Sequence, residues 1–71
     1  MKVRGRVVHE PIEGGFWGIV DEDGERYQPI DDLPPNVRHD GLAVEADVEP
    51  VGLVSLMMWG KTVRVRSIRP I

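Results

Sequence analysis

The stretch LAVEADVE, residues 42–49, places Leu42, Val44, Ala46 and Val48 on one side of an extended chain and Glu45, Asp47 and Glu49 on the other. Successive side chains of a strand point to opposite faces, so this period of two predicts a strand with one buried and one wet face. A slip of one residue would carry three carboxylates into the core, which fixes the register. The same period runs through KVRGRVV, residues 2–8, where Val3, Gly5 and Val7 alternate with Lys2, Arg4 and Arg6. It returns in KTVRVRSI, residues 61–68, with Val63 and Val65 inward and Arg64 and Arg66 outward. Ile68 falls out of phase there and predicts a bulge or a strand end.

Outward from these three strands, GFWGIV at residues 15–20 reads as a second strand and a third begins near Glu25. DEDG joins them as a hairpin turn, with Gly24 supplying a left-handed residue. Pro11 has no N–H to donate and ends the first strand. The segment DDLPPNVRHDG, residues 31–41, is too short and too interrupted by proline for more than a single helical turn, and reads as a crossover. GLVSLMMWG, residues 52–60, is apolar on both faces and predicts a more buried strand. No window carries a long 3.6-residue apolar stripe, so the class is all-β. Five or six short strands in so small a chain predict a closed or nearly closed barrel, which removes exposed edges; a small five- to six-stranded OB-fold-like barrel and an SH3-like barrel both suit the pattern.

The 71 residues make a single domain, 1–71, which buries only about 60% of the surface its unfolded chain exposes. There is no cysteine, so neither a disulfide nor a thiolate metal site reinforces that core. No secretory leader and no apolar run long enough for a bilayer is evident, and the expected setting is soluble and cytoplasmic, away from membranes. The net charge is −3, and the charges are sorted. Every Asp and Glu lies between Glu10 and Glu49, offset there by Arg26 and Arg38 alone, whereas Lys2, Arg4 and Arg6 precede that block and Lys61, Arg64, Arg66 and Arg69 follow it. Overall acidity argues against strong nonspecific nucleic-acid binding, which depends on neutralising phosphates.

The order Gly5-Arg6-Val7, Gly15-Phe16, Asp23-Gly24 and then residues 41–49 resembles the layout of cold-shock-type OB domains over roughly the first fifty residues. A closer resemblance is to a family of small uncharacterised prokaryotic proteins with GGF-aromatic-GIV, Leu-Pro, Gly-Leu-x-Val and Met-Trp-Gly motifs. Here these are Gly14 to Val20, Leu33-Pro34, Gly41 to Val44 and Met58 to Gly60. Both resemblances imply an OB-like fold. The cold-shock family also stacks bases on the two phenylalanines of a Lys-Gly-Phe-Gly-Phe-Ile strand, and of these only Phe16 carries over. Gly14 stands in place of the Lys, Gly18 in place of the second Phe, and Val8, His9 and Glu10 in place of a basic-aromatic-aromatic triplet. At about 1–3 kcal/mol of stacking per base, most of that platform is absent.

Phe16 and Tyr27 remain candidates for a small aromatic platform, set against the plainer reading that aromatics fill a tiny core. Gly14 and Gly15 fit a barrel bend better than a phosphate cradle, since no helix N-terminus or Walker pattern follows. DEDGE lacks most ligands of a calcium loop and reads as a solvated turn. His9 and His39 lack metal-site spacing, and neither Ser55 nor Ser67 lies in a nucleophile motif. Arg4, Arg6, Arg64 and Arg66 are the basic candidates for binding. If the first strand lies beside the fourth, as in an OB-fold, Lys2, Arg4 and Arg6 face Glu45, Asp47 and Glu49 and the charge sorting needs no ligand. If instead the last strand lies beside the first, the arginines form an exposed patch suited to an anion. The run ending in Met57, Met58 and Trp59 exceeds what one inward face holds, so part of it is either covered or available for weak homo-oligomerisation.

The expected function is that of a small non-enzymatic binding or interaction module without a cofactor, monomeric or weakly self-associating. Its ligand would be a protein, a peptide or a small molecule. The alternative is a weak single-stranded nucleic-acid-binding domain using Phe16, Tyr27 and the terminal arginines. A third class is an accessory domain stabilising a larger complex.

Overall fold

The computed structural model describes residues 1–12, 14–52 and 59–71. Five strands follow one another: β1 Lys2–Glu10, β2 Phe16–Asp21, β3 Arg26–Pro29, β4 Ala43–Pro50 and β5 Lys61–Pro70. They close into a barrel in the order β1-β2-β3-β5-β4. β1 pairs antiparallel with both β2 and β4, and β3 pairs parallel with β5, so the architecture is that of a small OB-like barrel. The strand expected over residues 52–60 falls mostly on residues 53–58, and with it Ser55, Met57 and Met58; these lie outside the described residues.

The predicted alternation holds. Val44, Ala46 and Val48 of β4, Val3 and Val7 of β1, Ile19 of β2 and Val63 of β5 are all buried together, while the partners between them face outward. Two more core residues come from the crossover between β3 and β4. Leu33 and Val37 are buried in the same cluster, and Pro35–Val37 forms one 3-10 turn that seats Val37. Proline supplies the fixed φ that opens this turn, and the chain leaves helical geometry at Arg38, where ψ is 68°. The crossover therefore plugs the barrel with two side chains instead of a full helix.

Two irregularities give the barrel its curvature. In the β4–β5 ladder Asp47 pairs with Ser67 but Val48 with Val65, so Arg66 is the extra residue of a bulge. This shift of phase lets Val65 and Ile68 both pack on the core, as the broken alternation at Ile68 predicts. At the other corner, Gly5 pairs with Asp21 on one side and Val44 on the other, where β1 passes from β2 to β4. A Cβ at Gly5 would sit 2.1 Å from the carbonyl oxygen of Val20, a close approach that only glycine permits.

Candidate functional site

Two outward surfaces hold the residues singled out in the sequence. The first is the β2–β3 face, where OB-folds commonly bind. Phe16 and Gly18 point outward from β2 while Trp17 packs against the core and Ile19 is fully buried within it. Over the bare surface at Gly18 lies the indole of Trp59, so near that a Cβ there would meet the ring at 2.5 Å. Phe16 meets the same ring edge-on, with centroids 5.2 Å apart and planes at 79°. From β3, the Arg26 guanidinium covers it at 5.6 Å from the ring centroid. Trp59 is thereby buried, and it joins the loop before β5 to a strand forty residues away in sequence. The one local sign of this cluster is Gly18 itself, a residue without a side chain two positions after Phe16 on the same face, which leaves room for a ring from elsewhere.

Tyr27 corrects the expectation of a Phe16–Tyr27 platform. It pairs with Ile19, shares that residue's inner face and is 5% exposed, so it belongs to the core and the aromatic partner of Phe16 is Trp59. The Tyr27 hydroxyl donates to Asp21 Oδ2 at 3.2 Å. Burial raises its phenol pKa above the ordinary value, and the hydrogen bond to the Asp21 carboxylate adds to this. The other oxygen of Asp21 accepts from the backbone N–H groups of Asp23 and Glu25, both at 2.9 Å. The first carboxylate of DEDGE thus organises its own hairpin, as the turn reading predicts.

Gly14 and Gly15 also differ from expectation. Both have positive φ, 88° and 94°, but they lie in the connection before β2 and shape that turn instead of bending the barrel wall. His9 is exposed at the end of β1, its ring 4.6 Å from that of Trp17. Its backbone N–H donates to Asp40 Oδ1. His39 is exposed in the crossover.

The second surface is the outer face of β1, β4 and β5. Because β4 lies between β1 and β5, the basic rows at the two ends of the sequence flank an acidic row and do not touch each other. Arg4 pairs with Glu45 at 2.9 Å, Arg69 with the same carboxylate at 3.1 Å, and Lys2 reaches it at 3.8 Å. Arg64 and Arg66 converge on Glu49 at 3.2 and 2.9 Å, an arrangement the bulge at Arg66 makes possible. Arg6 sits opposite Ala43, and its guanidinium donates to the carbonyl of Gly41 at 3.0 Å. Hydrogen bonds from Arg4 and Arg69 hold the Glu45 carboxyl below its ordinary pKa, and those from Arg64 and Arg66 do the same for Glu49. The face-to-face pairing accounts for the charge sorting, with Arg69 as an anchor that the sequence reading did not single out.

Compared with known proteins, the chain matches no family model, no curated protein and no solved structure. Among the described residues no helix is long and apolar enough to cross a membrane.

Proposed function

We propose that the chain is a non-catalytic binding module of the cytoplasm whose ligand is another protein or a peptide. The observation that supports this reading is the β1–β4–β5 face, a sheet surface lined with exposed arginines and carrying none of the described Phe, Tyr or Trp side chains. Single-stranded nucleic acids are held on aromatic platforms, a description that does not suit this surface.

A second reading has an observation of its own. Phe16 and Trp59 lie together on the β2–β3 face with Arg26 beside them, which is where an OB-fold would stack a base. The two readings separate in one pair of measurements. Amide-shift NMR with short DNA and RNA oligomers at about 0.15 M salt is expected to leave residues 16–20 and 25–30 unmoved. Affinity capture from the source cells is expected to retain its proteins after nuclease treatment. Shifts at those residues, together with loss of every captured protein to nuclease, would overturn the proposal in favour of the nucleic-acid reading.

A further inference from the structure

The charges on the β1–β4–β5 face do not cancel. Lys2, Arg4, Arg6, Arg64, Arg66 and Arg69 stand there around Glu45, Asp47 and Glu49, six cations against three carboxylates. The rest of the chain carries nine carboxylates and three cations, so a protein of net charge −3 has one sheet face with an excess of three positive charges. Around Glu45 the signs are also layered by depth: the carboxylate is 12% exposed, whereas Lys2, Arg4 and Arg69 are 61% to 71% exposed. A guanidinium has five N–H donors in a fixed fork, and one ion pair leaves several of them for a partner.

Geometry narrows what that partner is. Outward side chains on one strand recur about every 7 Å, so β1 presents Lys2, Arg4 and Arg6 in a row with that repeat on one side of β4, while on the other side the bulge at Arg66 interrupts the row of Arg64, Arg66 and Arg69 on β5. An extended peptide with an acidic residue at every second position has the same repeat. Between the rows a shallow hollow of about 370 Å³ is lined by Lys2 and Arg69 together with Ser67, Glu45 and Asp47. A single-stranded nucleic acid would find phosphate contacts but no ring to stack on, because Trp17 and Tyr27 pack inward and Phe16 and Trp59 lie on the β2–β3 face. It would also lie along the β4 carboxylates with a charge on every unit.

We propose that this face binds an extended acidic peptide segment of a partner protein. The proposal rests on the binding-module reading and specifies the charge and conformation of the ligand. It is tested by NMR titration of the whole chain with a peptide of alternating Glu and Thr, beside a thymidine oligomer of equal charge. With the peptide, amide shifts are expected at residues 2–6, 45–49 and 64–69, weakening as salt rises. The double variant Arg64→Ser, Arg66→Ser is expected to bind the peptide roughly threefold to tenfold more weakly. Arg64→Lys, Arg66→Lys keeps the charge and the salt dependence, and Arg38→Ser, which removes a cation of the crossover outside this face, changes nothing. Absence of peptide shifts while nuclease-resistant capture persists would overturn this assignment and leave the module reading standing. Tighter binding of the oligomer with shifts at Phe16 would overturn both.

Discussion

A Cβ added at Gly5 would collide with backbone, and one added at Gly18 with a side chain, so the two glycines predict different costs. The carbonyl of Val20, 2.1 Å from the Gly5 position, moves only if β1 and β2 separate. Gly5→Ala is therefore expected to lose about 3 kcal/mol, the upper end of overpacking costs, in urea unfolding. Gly18→Ala meets the Trp59 ring, which can swing off the surface, and is expected to lose about 1 kcal/mol while changing the near-UV circular dichroism of the indole. The reverse order of costs would refute this account of the corner. Tyr27→Phe removes one hydrogen bond to Asp21 and is expected to cost about 1 kcal/mol. The phenol's folded-state pKa lies above its ordinary 10.0, so its contribution is intact below that pH and is lost as pH rises through the folded-state value. Stability measured above pH 10 should fall more steeply in the wild type than in the phenylalanine variant. The inward course of Tyr27 was legible, since it stands between Arg26 and Gln28 in a period-two segment. The docking of Trp59 on Gly18 was not, because no local period encodes a contact between a strand and a loop forty residues later.

β4 is the element that turns charge sorting into stability. Its inward row closes the core, and its outward row is clasped from β1 by Arg4 and from β5 by Arg64, Arg66 and Arg69. Glu45 and Glu49 have folded-state pKa values below the ordinary 4.5, so the clasps contribute fully above that pH and are lost as pH falls through the folded-state values. The thermal midpoint is expected to drop on acidification below about pH 4.5, and Glu45→Gln is expected to lower it at neutral pH and to flatten the acid limb. An unchanged acid limb in that variant would show that the clasp is not the titrating element. Which residues of β1 and β4, and of β5 before the bulge, face outward could be read from alternation alone. Which cation meets which carboxylate could not, because strand order and the bulge at Arg66 decide it; Arg6 ends opposite Ala43, and two arginines share Glu49.

At the scale of the whole molecule, the parallel course of β1 and β5 on either side of β4 places Met1 beside Val48 and Ile71 beside Ala43. The amino group of Met1 donates to the carbonyl of Val48 at 2.9 Å, and the N–H of Ile71 to that of Ala43 at 3.0 Å. The ends of the chain thus sit at opposite ends of the same central strand. Tension applied between them would drag β1 and β5 in opposite directions along β4, and since ladder bonds run perpendicular to the strands, all of them bear the load at once. Force spectroscopy is expected to show a markedly higher rupture force with handles at residues 1 and 71 than with handles at residues 5 and 21, the open end of the β1–β2 ladder, which would peel that ladder bond by bond. Equal forces would mean that the barrel yields elsewhere. A chain too small to hold a large core is, in this geometry, built as a lap joint: weak against peeling and resistant along its length.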